Sequence, residues 1–256
     1  MNIIIMIALI VIIVLLIRYK GQLDTIKYLK IKHKDKTVKA TKQALTSSRN
    51  SFKRELGELF CPFQKGFPYK ARDCIFIGNP IDYIIFNNLE AYRAGQKEID
   101  EIEIVFFEVK ATYSANLSKV QTAIEHTALA KKVQFQLYSD SNHSRDRFTK
   151  EQSEHFCPFQ SDFPYNPRDC RFVGNSIDYI VFNNLQAYRD GQKSVDDIEI
   201  ILVGIKPNNS PDLSKVQNAI QHAIANKRIR FKVYKYDDNI VSKAKATLID
   251  KYYNYL

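Results

Sequence analysis

Ile102-Glu103-Ile104-Val105-Phe106-Phe107-Glu108-Val109-Lys110 decides how the chain is read. The run is short, apolar and rich in β-branched and aromatic residues, which is the signature of a buried strand. Residues i and i+2 of a strand face the same way, so Glu108 and Lys110 project together from its end. Upstream, Gly78-Asn79-Pro80-Ile81-Asp82-Tyr83 puts a second acid, Asp82, at the mouth of another apolar strand. A carboxylate entering a buried strand is costly unless it is paired or metal-bound. Two such carboxylates at strand ends suit a hard, oxygen-preferring cation, Mg²⁺ or Mn²⁺. A cation there would polarise a phosphodiester oxygen, and the Lys110 ammonium could stabilise charge building on it. The same spacing also allows a plain Glu108–Lys110 ion pair.

The strand recurs 96 residues later as Val203-Gly204-Ile205-Lys206, with glycine where the glutamate stood. It belongs to a tandem repeat. Phe60-Cys61-Pro62-Phe63-Gln64 returns as Phe156-Cys157-Pro158-Phe159-Gln160, and Leu117-Ser118-Lys119-Val120-Gln121 as Leu213-Ser214-Lys215-Val216-Gln217. About 45 of the 79 positions in 60–138 are identical at this offset without a gap, which marks a duplicated structural unit. Two α/β domains are predicted, 51–139 and 147–236, with a short polar linker over 140–146 and a tail over 237–256.

Each unit has one layout. A helix carries Glu55 and Glu58, with Glu151 and Glu154 as counterparts. Strands are predicted near 74–77, 81–86 and 102–110. Leu117, Val120, Ile124 and Ala128 follow at helical spacing, with Ser114 or Asn116 as the cap. A last strand covers 133–138. Strand, helix, strand implies a right-handed crossover and parallel pairing, so the order is α-β-β-β-α-β.

The net charge of +10 is local. Residues 18–54 hold twelve basic and two acidic side chains, while 55–256 carry 26 of each. Residues 1–17, MNIIIMIALIVIIVLLI, are apolar throughout. The run 3–17 is about 23 Å long as a helix, against a hydrocarbon core of about 30 Å. No basic residue precedes it and no small-x-small cleavage site follows it. Residues 1–19 are therefore expected to be an uncleaved single-pass membrane anchor. Residues 20–50 are expected to be a basic linker that touches lipid head groups. The basic flank keeps the repeats on the cytoplasmic side.

Cys61, Cys74, Cys157 and Cys170 have no zinc spacing and read as reduced thiols. His126 and His222 sit at matched helix positions as surface residues. No Ser-His-Asp set, P-loop or Rossmann glycine fingerprint is present. Tyr69 and Tyr165 could stack on a base.

The frame of Asp followed by Glu-x-Lys resembles the PD-(D/E)XK nucleases. More narrowly, Phe67-Pro68-Tyr69, Asp73, Phe76-x-Gly78-x-Pro80-Ile81-Asp82-Tyr83-x-x-Phe86, Phe107-Glu108-Val109-Lys110 and Leu117-Ser118-Lys119-x-Gln121 resemble predicted endonucleases distantly related to archaeal Holliday-junction resolvases. The resemblance implies restriction-endonuclease-like folds, Asp82 and Glu108 as metal ligands and Lys110 as the catalytic lysine. It implies Gln121 in the site, Glu58 as a supporting acid and DNA, branched or linear, as partner. Lys119, with Lys131, is the candidate DNA contact. Asp178, Gly204, Lys206 and Gln217 form the degenerate second site, expected to be inactive because one carboxylate does not hold a cation as two do. The related resolvases work in pairs, which implies a homo-oligomer or a pseudo-dimer within the chain. The competing expectation is a non-catalytic, membrane-tethered DNA-binding or scaffold protein. The neutral balance of 55–256 favours it, because phosphate binding needs a basic face.

Overall fold

The structure is a computed structural model, and it describes residues 2–111, 116–140, 155–174, 177–207 and 212–236. The chain divides into two compact units, Met1–Glu55 and Leu56–Leu256. One helix, α1 (Asn2–Phe60), takes up the first unit and opens the second. Residues 20–50 continue the helix, because Lys, Ala, Leu and Gln are strong helix formers and no proline occurs before Pro62. Pro62 then ends it, followed by the 3₁₀ turn Cys61–Phe63. The side chains of residues 1–11 lie outside the described ones, and with them most of the expected anchor. Among the described residues no helix is long and apolar enough to cross a membrane. The tail 237–256 and linker residues 141–146 also lie outside them. Asp140, expected in the linker, belongs to a strand.

The second unit contains both repeats. Repeat 1 supplies β1 (Cys74–Phe76), β2 (Tyr83–Asn87), α2 (Leu89–Arg93), β3 (Glu103–Ala111), α3 (Lys119–Leu129) and β4 (Val133–Asp140). Repeat 2 supplies β5 (Cys170–Phe172), β6 (Tyr179–Asn183), α4 (Leu185–Arg189), β7 (Glu199–Pro207), α5 (Lys215–Ala225) and β8 (Ile229–Tyr236). The strands fall within one or two residues of their predicted positions. The short helix α2 was not expected. Buried Asp73 starts it by accepting from the backbone N–H groups of Asn88 (3.2 Å) and Glu90 (2.9 Å), two donors that a helix start leaves free.

The two sheets are not made one from each repeat. Their orders are β1-β2-β3-β8 and β4-β7-β6-β5. The predicted parallel pairing is present, but each repeat lends its last strand to the other. β3 pairs with β8 from Ile104↔Ile229 to Ala111↔Tyr236, and β4 pairs with β7 from Val133↔Ile200 to Asp140↔Pro207. The two registers are related by the same 96-residue offset. Each sheet therefore combines three strands of one repeat with the last strand of the other.

The exchange follows from packing. One core cluster draws on both repeats, with Ile84, Phe86, Ile104, Phe106 and Ile124 beside Ile180, Phe182, Ile200, Leu202 and Ile220, each at most 1% exposed. Polar contacts repeat the symmetry. Lys119 lies over the ring of Tyr188 at 4.8 Å and Lys215 over that of Tyr92 at 4.7 Å. Arg228 pairs with Asp100 at 2.9 Å, and its counterpart Lys132 lies 3.9 Å from Asp196. His126 and His222 take part in this crossing, each 3.8 Å from Asp196 and Asp100 respectively.

Cys61, Cys74, Cys157 and Cys170 form no disulfide with one another. Burial pushes the Cys61, Cys74 and Cys170 thiols up to about 12, so they stay protonated and unreactive.

Candidate active site

Alternation along β3 sends Ile104, Phe106, Glu108 and Lys110 to the face that α3 covers. Asp82 enters from the residue before β2. Its Oδ2 accepts from the Val109 N–H at 2.7 Å, which fixes it against the end of β3. Its carbonyl takes the N–H groups of Ile77 (2.7 Å) and Gly78 (3.2 Å). Gly78 has φ +80°, a conformation that favours glycine.

Asp82 and Glu108 are 5% and 3% exposed. Lys110 Nζ lies 2.9 Å from Glu108 Oε1 and donates to Gln121 Oε1 at 2.9 Å. Gln121 Nε2 donates to Glu108 Oε1 at 2.5 Å. The same glutamine closes the capping box of α3: Gln121 N donates to Ser118 Oγ, and Ser118 N to Gln121 Oε1. Ser118 is therefore the cap, one turn later than Ser114 and two residues after Asn116. Capping fixes the first turn of the helix, so the residue that starts α3 also ties Lys110 to Glu108.

Glu108 Oε2 is buried and accepts no hydrogen bond. Burial and the nearby Glu108 and Glu58 carboxylates push Asp82 up to about 8, against the pull of the Val109 N–H and Lys110. Burial also raises Glu108, although Lys110 opposes it. The pair thus resists carrying two negative charges. Both pressures would be relieved by a cation between the carboxylates. Among the described residues, no three His, Cys, Asp or Glu side chains gather into a metal-binding group. An ion here would be held by two carboxylates, an arrangement that suits Mg²⁺, which keeps much of its water.

The sequence-predicted residues divide clearly. Asp82, Glu108, Lys110 and Gln121 meet, and half-buried Glu58 is near enough for its charge to act on Asp82. Tyr83 holds that helix end in place by donating to the carbonyls of Glu58 (2.8 Å) and Leu59 (2.9 Å). Lys119 is instead over the Tyr188 ring. Lys131 donates to the carbonyl of Ile229. Ile229 is paired with Ile104, four positions before Glu108, or about 13 Å away along the strand. Tyr69 packs edge-on against Phe67 and Phe107 and carries Lys232 over its ring. Tyr165 donates to Gln136.

The second site keeps the scaffold and loses the cleft. Asp178 Oδ2 accepts from the Ile205 N–H at 2.6 Å, as Asp82 does from Val109. Ser214 and Gln217 form the same capping box. A Cβ on Gly204 would lie 2.9 Å from Gln217 Nε2, 3.2 Å from Leu137 Cδ2 and 3.5 Å from Phe135 Cζ. The space for a glutamate is filled by the amide of Gln217, itself 7% exposed, and by side chains from repeat 1. Glu154 lies outside the described residues.

The cross-strand neighbours were missed from sequence. Glu108 is paired with Val233 and Gly204 with Leu137. Each site is flanked by the other repeat, and only the exchange reveals which.

A family model described as endonuclease related to archaeal Holliday junction resolvase matches the chain twice, over 41–140 and 139–236. No curated protein and no solved structure gives a match.

Proposed function

The chain belongs to this family of endonucleases related to archaeal Holliday junction resolvase, and from that premise we propose that repeat 1 is a metal-dependent DNA endonuclease of the PD-(D/E)XK type, with repeat 2 a non-cleaving counterpart. The observation that carries the reading is the pair of buried carboxylates set against each other, Asp82 and Glu108, beside a lysine held on two sides.

Asp82 and Glu108 would hold Mg²⁺ or Mn²⁺, which when bound polarises a phosphodiester oxygen. Lys110 is held by Glu108 Oε1 and Gln121 Oε1, so it can donate to an attacking water or to the oxygen on which charge builds. Gln121 keeps Lys110 and Glu108 in register by bonding to both. Glu58 adds negative potential near Asp82, which strengthens the site's preference for a cation. In repeat 2, Gly204 stands where the glutamate would be, and Gln217 fills the gap.

The test uses the purified full chain, linear and branched DNA, and Mg²⁺ or Mn²⁺, beside Glu108→Ala. Cleavage should fall on the order of 10³-fold in the variant, the scale of losing a key electrostatic group. Equal activity, or equal inertness on every substrate, removes the reading.

The neutral charge balance of 55–256 supports a second reading, a DNA-binding or scaffold protein that does not cut. Binding without cleavage by the wild type would select it. The apolar run 3–17 and its basic flank support a membrane tether with the repeats on the cytoplasmic side. Retention in the membrane pellet after an alkaline carbonate wash is expected, and release removes the tether.

A further inference from the structure

Among the described residues, the intact site's own repeat offers little to hold a polyanion. Asp82, Glu108 and Glu58 all repel phosphate, and Lys110 is engaged by Glu108 and Gln121. Lys119, exposed over the Tyr188 ring, is a single cation beside the helix cap, and Lys131 holds the Ile229 carbonyl. Resting on the endonuclease reading above, we propose that the degenerate repeat supplies what is missing: β8 is the phosphate-binding strand of the intact site and docks the DNA backbone through Lys235, Lys232 and Arg230.

The exchange places this strand beside β3, with Lys235 paired to Lys110 and Lys232 to Phe107. All three cations are exposed. Lys235 shares the face of Glu108 and Lys110, since paired residues of neighbouring strands point the same way. Lys232 lies at the same edge on the opposite face, over the Tyr69 ring at 5.1 Å. Arg230, nearer the start of the strand, is partly spent on Glu103 at 2.7 Å, so the two lysines carry most of the proposed contact.

The counterpart strand gives an internal control. At the matching positions β4 carries Gln134, Gln136 and Ser139, and β4 flanks the site that has lost its glutamate. Lysines on an edge strand are commonly a guard against unwanted pairing. That reading would require them on both edges, since β4 and β8 are each the outermost strand of a four-stranded sheet. Only the edge beside the intact site has them. The loop that packs against that edge through Phe67 and Tyr69 carries exposed Lys65 and Lys70 where repeat 2 has Ser161 and Asn166, with the Lys70 charge acting on Asp73 at the far end of β2. The basic strand of one repeat thus lies beside the one site of the other that keeps both carboxylates.

The test compares the full chain with Lys232→Gln/Lys235→Ser, which gives β8 the residues of β4. Lys235→Ser alone serves if the double variant melts early, and Lys193→Ser, an exposed lysine away from the strand, is the control. Binding to labelled duplex DNA is measured in EDTA across a salt titration. The slope of log affinity against log salt should become shallower by about two for the double variant and about one for the single, with no change in the control. An unchanged slope and affinity overturn the assignment. So does loss of binding to phosphatidylserine vesicles with DNA binding intact, which would make the strand a lipid contact. Cleavage with Mg²⁺ is followed in parallel. If the wild type and the double variant bind and cut alike, the strand assignment falls and the endonuclease reading stands. If the wild type binds through β8 but cuts nothing, the endonuclease reading falls and the strand assignment stands. If the wild type binds no DNA, both fall.

Discussion

The sites of repeats 1 and 2 share a backbone and differ in what fills it. Asp82 and Asp178 take the same N–H hydrogen bond from the facing strand, and Gln121 and Gln217 close the same capping box. In repeat 1 the glutamine amide donates to Glu108. In repeat 2 it occupies the ground the glutamate would need. The scaffold therefore does not depend on the carboxylate, whereas the cleft does. A glutamine whose structural duty is to start a helix can keep that duty when the site around it is lost.

The comparison can be broken most sharply by separating the repeats. Residues 51–140 alone contain both halves of the exchanged pairing, Ile104 on β3 and Val133 on β4. The register between repeats obeys the same offset in both directions, so two copies can close around a two-fold axis. The isolated repeat is expected to be a dimer with two intact sites, measured by sedimentation equilibrium. A folded monomer would show that β4 can return to its own sheet.

A second contrast is in proton binding. Asp82 rises from the ordinary carboxylate value of 3.8 to about 8 in the folded chain, so between those values the native state binds more protons than the unfolded one. The stability that Asp82 contributes in the metal-free protein is then fully present below about pH 4 and is lost as pH rises towards 8. Asp82→Asn should flatten that decline in denaturant midpoints. Mg²⁺ at a hundredfold over its dissociation constant should restore about 2.7 kcal/mol near pH 8. A flat profile in the unmodified protein refutes the burial argument.

Smaller again is the attempt to turn repeat 2 into repeat 1. Gly204→Glu meets Gln217 and Leu137 and is expected to cost about 1–3 kcal/mol as overpacking, without a second cutting activity. Thermal melts and the count of cut strands check both. The smallest effect is one that should not distinguish the repeats at all. Lys119→Ala and Lys215→Ala each remove a matched cation–ring contact, and each should cost about 0.5–1 kcal/mol. Unequal losses would mean that one lysine has a second role.

The sequence made the strands legible because their alternation is local. Asp82, Glu108 and Lys110 could be placed on adjoining strand ends by period alone, and Gln121 by resemblance. The cap at Ser118 was misplaced by several residues because Ser114, Asn116 and Ser118 all have the chemistry for it, and only the bond from Gln121 N chooses. The exchange was illegible for a deeper reason. Val133-Gln134-Phe135 and Ile229-Arg230-Phe231 offer β3 the same apolar pattern, and no local rule says which will pair with it. The decision rests on a core shared by both repeats. The lysines were weighed as a total, which is neutral, whereas their meaning depends on which strand lies beside which site.

Strand exchange also ties together the descent of the two copies. A change at Ile104 is felt at Ile229, 125 positions on, and one at Val133 is felt at Ile200, 67 positions on. A self-contained repeat would instead link Ile104 to Val133, 29 positions apart. Across related duplicated chains, compensating substitutions should therefore appear at the two longer separations. A copy without the second carboxylate still supports the other in this way, because deleting it would take a strand from its neighbour.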